Sequence, residues 1–224
     1  MKVNVIVFDL DDTLYDEITF VYSGFDSVAS YFSIKHKIDK KLFYRFMIDT
    51  LQKEGRGKVF DETLKYFEIY SKTNVKKALN IYRTHKPNIF LKDEIIELLK
   101  YYNEKSVPLY IVTDGNKIVQ KNKIKSLNLE KYIKKIFITH HYGKKHSKPS
   151  TYCFEKIAQI EKVEYKNIVY IGDNINKDFI NIKKLGFQTI RINQGMFKDL
   201  NKPQEFHANI DIEYLTQIKN ILKV

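Results

Sequence analysis

The sequence predicts an α/β fold, a doubly wound parallel sheet that carries an inserted all-helical cap. Three observations support this prediction. The apolar run Val5–Phe8 is typical of a strand buried on both faces of a parallel sheet. From Leu91 onward, helical and extended patterns alternate, as expected when helices cover both faces of such a sheet. Between these two parts, the residues from Tyr15 to His85 show helical periodicity alone.

The alternating part predicts four further strands and the helices that connect them. The strands are expected at Pro108–Val112, Lys135–Thr139, Asn167–Ile171 and Gln188–Ile192, and helices at Asp93–Tyr102 and near Glu213–Leu222. Ser150 is placed to cap a helix that carries Phe154, and Gly186 is placed to end the next helix. Ligands of parallel sheets bind outside the carboxyl ends of the strands, so functional residues are expected there.

The inserted segment is predicted to consist of helices. An apolar stripe marks its first helix and is formed by Ile18, Val21, Tyr22, Phe25, Val28, Ala29 and Phe32. Asp39 is placed to cap a second helix, and two helical stretches follow the glycines at 55 and 57, at Val59–Tyr70 and Asn74–His85. The chain is therefore predicted to have an α/β core, residues 1–14 and 88–224, and a helical cap, residues 15–87.

Composition narrows the possible partners and the location. The formal net charge is +12, but the lysines are spread along the whole chain without a recognition motif, so we expect no nucleic-acid partner. No apolar run approaches the roughly 18 residues of a membrane span, so no membrane association is expected. Cys153 is the only cysteine and is expected to be buried on a helix. A lone cysteine favours a reducing, cytoplasmic location.

Two carboxylates follow the first predicted strand. Side chains at i and i+2 of an extended chain lie on the same side, so Asp9 and Asp11 meet in one small space while Leu10 points away. Two carboxylates this close repel each other, and folding gains nothing from placing them there. A divalent cation, or a reaction that needs one charged and one protonated carboxyl, would explain their proximity. The structural alternative is a strand end followed by a solvated acidic turn.

Matching polar residues follow the later strands. Thr113, with the backbone N–H groups of Asp114 and Gly115, can hold phosphate oxygens. Lys148 stands at the entry to a helix, where a cation can neutralise a transferred group. A pair of acids, Asp173 and Asp178, follows the fourth strand. Each residue also has a purely structural interpretation: Thr113 as a turn former, Lys148 as a surface lysine and Asp178 as an acid in the first turn of a helix. Their positions at successive strand ends and helix starts nevertheless favour one shared site.

Four segments of the chain resemble the motifs of the haloacid dehalogenase-like (HAD) superfamily. They read FDLDDTL, IVTDGN, SKPS and IGDNINKD, and the helical insertion resembles the C1 cap of its phosphatase group. The resemblance implies a Rossmann-like core, Asp9 as nucleophile and Asp11 as general acid/base. It implies that Leu10, Thr113, Asp114, Gly115 and Lys148 contact phosphate, and that Asp9, Asp11, Asp173 and Asp178 surround Mg²⁺. The dehalogenases of the superfamily lack an acid at the position that Asp11 occupies here, so the resemblance favours phosphoryl transfer over dehalogenation.

Electrostatics agrees with this chemistry. The four carboxylates carry four negative charges, of which Mg²⁺ and Lys148 neutralise three, and protonation of Asp11 would remove the last. An all-oxygen ligand set that includes the backbone carbonyl of Asp11 suits Mg²⁺. The expected function is a magnesium-dependent phosphatase that acts on a small metabolite, a sugar phosphate or a nucleoside monophosphate, through an aspartyl-phosphate. The alternatives are a phosphomutase of the same fold and a non-catalytic binding module.

Two further groups of residues bear on the function. The histidines His140, His141 and His146 lack the thiolates and the regular spacing of a zinc site, so we expect solvated loop histidines. In the insertion, Tyr22, Arg56 and Lys58 are candidates for contact with the substrate's leaving group, although Arg56 and Lys58 could equally be solvated charges.

Overall fold

The computed structural model describes all residues, Met1–Val224, and they form two compact units. One unit comprises Met1–Glu17 and Phe90–Val224, and the other comprises Ile18–Ile89. The first contains every strand of the sheet and the second is helical.

A six-stranded parallel sheet forms the centre of the first unit. Its strands are β1 (Val5–Phe8), β2 (Leu109–Thr113), β3 (Lys135–Ile138), β4 (Ile168–Gly172), β5 (Gln188–Ile192) and β6 (Ile210–Ile212). They are arranged in the order β3-β2-β1-β4-β5-β6, and every neighbouring pair is parallel. The predicted fold class is thus confirmed. The short edge strand β6 was not predicted, because three residues carry too little pattern.

The second unit contains four helices. They are α1 (Glu17–His36), α2 (Lys40–Glu54), α3 (Val59–Tyr66) and α4 (Lys72–Thr84). Asp39 caps α2 as predicted, since its Oδ1 accepts a hydrogen bond of 2.7 Å from the backbone N–H of Leu42. Most of the predicted stripe of α1 is buried, but Ile18 is exposed and Tyr22 only partly buried, so the buried face is narrower than the sequence pattern suggested.

Five helices accompany the sheet in the first unit. They are α5 (Asp93–Glu104), α6 (Lys117–Ser126), α7 (Tyr152–Glu161), α8 (Ile180–Lys184) and α9 (Ile218–Ile221). The capping residue of α7 is Thr151 rather than the predicted Ser150, whose hydroxyl accepts only a long bond of 3.4 Å from Tyr152. The predicted final helix is shorter than expected, because a 3₁₀ turn at Leu215–Gln217 precedes α9.

One part of the core of the first unit lies between β1, β2, β4 and the helix α7. Alternate residues of the strands, among them Val5, Tyr110 and Tyr170, belong to one buried cluster with Phe154. Cys153 is buried in this cluster, as predicted. No helix combines the length and the apolar composition that crossing a membrane requires.

Candidate active site

The predicted site residues of the first unit meet at the carboxyl ends of β1, β2 and β4. These three strands are neighbours in the sheet, although β4 is far from β1 in the sequence. A cavity of about 370 Å³ opens there. It is lined by Asp9, Asp11, Asp12, Glu17, Thr113, Asp114, Gly115, His140, Asp173, Asn174, Lys177 and Phe197. This is the place where open parallel sheets bind their ligands.

Three buried carboxylates converge at this cavity, and two of them, Asp9 and Asp173, line it. Oxygen atoms of Asp9, Asp173 and Asp178 all lie within 4.8 Å of one another, and each residue is at most 6% exposed. Gly172 makes this approach possible, because a Cβ at that position would collide with the Asp178 carboxylate. A cluster of buried carboxylate oxygens suits a hard divalent cation.

Lys148 supplies a positive charge to the same cluster. Its Nζ lies 2.9 Å from Oδ2 of Asp9 and 2.8 Å from Oδ1 of Asp178, and it donates a hydrogen bond of 2.7 Å to the Tyr170 hydroxyl. The ammonium is almost completely buried. Burial disfavours the charged lysine, but Asp178 and Asp9 outweigh it and hold the pKa of Lys148 well above its usual range.

One lysine does not compensate all three carboxylates. Burial and the neighbouring charges of Asp9 and Asp178 raise the pKa of Asp173 to about 9. Burial also raises the pKa of Asp9 to about 6, a shift that Lys148 limits and Asp178 increases. Without a cation, therefore, the cluster retains a proton at neutral pH. The carboxylates fit a divalent metal, whose charge would replace that proton.

Asp11 lies apart from this cluster and has its own cation. Its Oδ1 accepts hydrogen bonds from Lys123 at 2.7 Å and from the Tyr15 hydroxyl at 2.6 Å, and its Oδ2 accepts one of 3.0 Å from Gln120. Burial alone would raise the pKa of Asp11, but Lys123 lowers it below its ordinary value. The charge count made from the sequence omitted Lys123. With this second lysine and one divalent cation, the four carboxylates are balanced while Asp11 is ionised.

Thr113 and Asp114 connect the other parts of the site. Thr113, at the end of β2, is buried, and its hydroxyl accepts a hydrogen bond of 2.7 Å from Gln120. One carboxylate oxygen of Asp114 accepts from the Thr139 hydroxyl at 2.7 Å and from the backbone N–H of Lys148 at 3.1 Å. Its other oxygen pairs with Lys177 at 2.7 Å. The Asp114 side chain thus links three of the four motifs, in addition to the predicted backbone role.

The remaining predicted residues have less specific surroundings. Leu10 has a completely buried side chain, consistent with a contribution through its backbone alone. His140 lines the cavity, whereas His141 and His146 do not. In the helical unit, Lys58 forms an exposed ion pair of 3.2 Å with Glu54.

Sequence reasoning missed several polar residues at or beside the site, among them Gln120, Lys123, Tyr170 and Lys177. A signal for two of them exists in α6, where Gln120 and Lys123 are spaced like the buried residues Ile124 and Leu127. Polar residues on the apolar stripe of a helix indicate a buried polar network. Tyr170 and Lys177 gave no comparable signal, because their partners are distant in sequence.

Curated relatives span the whole chain. A "Glyceraldehyde 3-phosphate phosphatase" of Methanocaldococcus jannaschii is 26% identical over 97% of this chain and 96% of its own. A protein of the same name from Pyrococcus furiosus is 25% identical over 99% and 94%. Their names confirm the predicted enzyme class, a phosphoric monoester hydrolase.

Solved structures and a family model agree on the fold. A Bacillus subtilis HAD-hydrolase bound to magnesium has a TM-score of 0.69 at 19% identity, with 100% of both chains covered. A HAD phosphatase from Thermococcus onnurineus has a TM-score of 0.62 at 22% identity, with 98% of this chain and 97% of its own covered. The model of haloacid dehalogenase-like hydrolases matches residues 6–192. The predicted resemblance is confirmed, and the chain belongs to the haloacid dehalogenase-like hydrolase family.

Proposed function

We propose that this protein is a magnesium-dependent phosphatase of small sugar phosphates, with glyceraldehyde 3-phosphate as the first substrate to test. One observation carries the proposal: the Asp9 carboxylate is paired with Lys148 inside a cluster of three buried carboxylates, while Asp11 stands beside it with a separate cation. The names of the curated relatives support the substrate. The cytoplasmic location remains a prediction from the single cysteine.

The cluster provides the ligands that Mg²⁺ prefers. Carboxylates of Asp9 and Asp173 would hold it, with the backbone carbonyl of Asp11 as a third protein ligand and Asp178 alongside. The raised pKa of Asp173 supports this assignment, because it reveals negative charge that the protein itself leaves uncompensated. When bound, the ion would neutralise charge on the phosphoryl group and on Asp9.

The protein's own residues would perform the reaction in two steps. Lys148, the Thr113 hydroxyl and the backbone N–H groups of Leu10, Asp114 and Gly115 would orient the phosphate oxygens. Asp9 would attack phosphorus and form an aspartyl-phosphate while the ester oxygen departs. The dianionic phosphate would raise the proton affinity of Asp11, so that its carboxyl binds a proton together with the substrate and delivers that proton to the departing oxygen. It would then accept one from the attacking water, so that hydrolysis regenerates both carboxyl groups.

The helical unit is proposed to provide substrate specificity. The strand ends carry the reacting carboxyls and would bind only the phosphate and the metal. They therefore offer no contact with the rest of the substrate, the part in which one phosphate ester differs from another. The unit is inserted in the chain directly after β1 and the loop that bears Asp11. We propose that it acts as the cap, with hinges near Tyr15–Glu17 and His85–Ile89, and that Tyr22, Arg56 and Lys58 contact the leaving group.

A phosphate-release assay over a panel of esters tests this function. The panel contains glyceraldehyde 3-phosphate, glycerol 3-phosphate, hexose phosphates and nucleoside monophosphates, each with Mg²⁺, with Ca²⁺ and with excess chelator. We expect turnover of small sugar phosphates with Mg²⁺ only, because the larger, looser shell of Ca²⁺ fits the reacting geometry poorly. Full activity in excess chelator, or no turnover of any ester, would refute the proposal.

A further inference from the structure

Helix α6 places two polar side chains in the interior of the first unit. Gln120 is 1% exposed and Lys123 is 2% exposed. Lys123 and Lys148 are the only buried lysines of the chain, and Lys148 already belongs to the phosphate site. An ammonium is unfavourable in the interior unless it is paired and hydrogen-bonded, so Lys123 requires specific partners.

The partners of Lys123 and Gln120 include the two groups predicted to handle the substrate, Asp11 and Thr113. Lys123 Nζ lies 2.7 Å from Oδ1 of Asp11 and 3.4 Å from the Glu17 carboxylate. Gln120 uses one amide nitrogen for two bonds, to Oδ2 of Asp11 at 3.0 Å and to the Thr113 hydroxyl at 2.7 Å. An amide NH₂ has two hydrogens, so both bonds can exist at once.

The donor and acceptor roles in this network have a direct consequence. Because Gln120 donates to the Thr113 oxygen, the single hydroxyl hydrogen of Thr113 is left to donate elsewhere, toward a phosphate oxygen. The Asp11 carboxylate accepts from Gln120 on one oxygen and from Lys123 and Tyr15 on the other. These bonds hold the carboxylate away from the three-carboxylate cluster that suits the cation.

We propose that Gln120 and Lys123 are positioning residues that orient Asp11 toward the leaving-group oxygen and the Thr113 hydroxyl toward the phosphate. This inference rests on the proposed phosphatase function. Without Lys123, the Asp11 side chain would lose one of the contacts that fix its position, and the group that protonates the ester oxygen would be displaced from it. Neither residue touches phosphorus, and each acts through its partner.

The proton donor matters more for some leaving groups than for others. An alkoxide is a strong base and requires protonation as it departs, whereas a 4-nitrophenolate is stable without it. The test therefore compares kcat/KM for glycerol 3-phosphate with kcat/KM for 4-nitrophenyl phosphate, both with Mg²⁺. The variants are Lys123→Met, which keeps the length of the side chain, and Lys123→Arg, which keeps its charge. Lys125→Met, an exposed position on the same helix, is the matched control.

We expect Lys123→Met to lower kcat/KM for glycerol 3-phosphate by about 100-fold, the cost of misplacing a general acid, and that for 4-nitrophenyl phosphate by less than about fivefold. Lys123→Arg should recover most of the loss, and Lys125→Met should match the wild type. An equal loss on both esters, or no loss, would overturn the positioning role. Where the wild type hydrolyses glyceraldehyde 3-phosphate but not glycerol 3-phosphate, the former serves as the alkyl ester in this comparison. A wild-type enzyme that hydrolyses no ester of the panel would instead refute the proposed function.

Circular dichroism shows whether the Lys123→Met variant folds. If it does not, Gln120→Leu provides a second test of the proposal. It removes the donors to Asp11 and Thr113 but leaves both lysines in place. We expect the same preference for the aryl ester and, because Thr113 loses its orientation, a KM several times higher for both substrates. Unchanged KM and an unchanged ratio between the esters would overturn the role of Gln120.

Discussion

Lys148 Nζ lies 2.9 Å from Oδ2 of Asp9, the carboxylate that would attack phosphorus. A phosphate dianion repels a free carboxylate, so a nucleophile of this kind needs a cation beside it. The same lysine also contacts Asp178, which fixes the ammonium from a second direction. The nucleophile, its neutralising cation and the metal ligands therefore form one buried unit, and changing any of them should affect the others.

Asp9→Asn should abolish turnover and preserve the fold. An amide fills the same space but cannot attack phosphorus, and one ligand charge for Mg²⁺ is lost as well. Phosphate release on the preferred substrate, with mass spectrometry to exclude deamidation, measures the effect. Retention of more than a few per cent of activity by a variant whose mass shows the amide intact would contradict the covalent mechanism.

Lys148→Met should destabilise the metal-free protein by about 3 kcal/mol and remove activity. The change leaves Asp9 and Asp178 buried without a cation, and breaking a buried pair on one side is costly. Denaturant unfolding in chelator measures the free energy. The control is Lys166→Met, which removes an exposed ion pair of 2.7 Å with Glu164 and should cost less than about 1 kcal/mol. Equal losses in both variants would contradict the structural account.

Binding of Mg²⁺ at pH 7 should release nearly one proton per ion. Asp173 has a pKa of about 9 in the metal-free protein and is mostly protonated at pH 7, whereas Asp9, at about 6, is mostly ionised. The metal requires the ionised form, so its apparent affinity should rise with pH up to about 9 and level off above that value. Titration calorimetry in two buffers with different ionisation enthalpies counts the protons. If Mg²⁺ binding released no proton at pH 7, the raised pKa of Asp173 would be contradicted.

The raised pKa of Asp173 also makes the stability of the metal-free protein depend on pH. The pKa of Asp173 is raised above its ordinary value of 3.8, so the unfolded chain loses this proton at a lower pH than the folded chain. The contribution of this group to stability therefore falls as pH rises from about 4 to about 9, and saturating Mg²⁺ should remove the decline. Denaturant unfolding at several pH values, with Mg²⁺ and with chelator, measures both effects.

Replacing Arg56 or Lys58 by alanine should alter the relative kcat/KM values among sugar phosphates more than activity on a minimal aryl phosphate. The reason is that a specificity residue contacts only the leaving group. Lys65→Ala is the matched control, because Lys65 forms an exposed ion pair with Glu62 in the same helical unit, as Lys58 does with Glu54. An equal loss on every substrate would assign these residues to the structure of the unit instead.

The sequence by itself determined the parallel sheet, the helical insertion and the residues at the strand ends. These features depend on local patterns: apolar runs predict buried strands, and periodicity predicts helices. Since parallel strands place their carboxyl ends on one edge, the order of the elements already implied that Asp9, Thr113 and Asp173 would be close. The motifs carried the assignment of Asp9 and Asp11 to phosphoryl transfer.

Only the tertiary structure decided which partner each lysine of the site contacts. Lys123 lies 112 positions from Asp11 in the sequence, and no periodicity indicates which carboxylate a buried lysine will meet. The same holds for Tyr170 beside Lys148 and for Lys177 beside Asp114. These pairs form because packing of α6, β4 and the following loop removes each group from water, and a buried charge is stable only where an opposite charge or a hydrogen bond replaces the lost solvent.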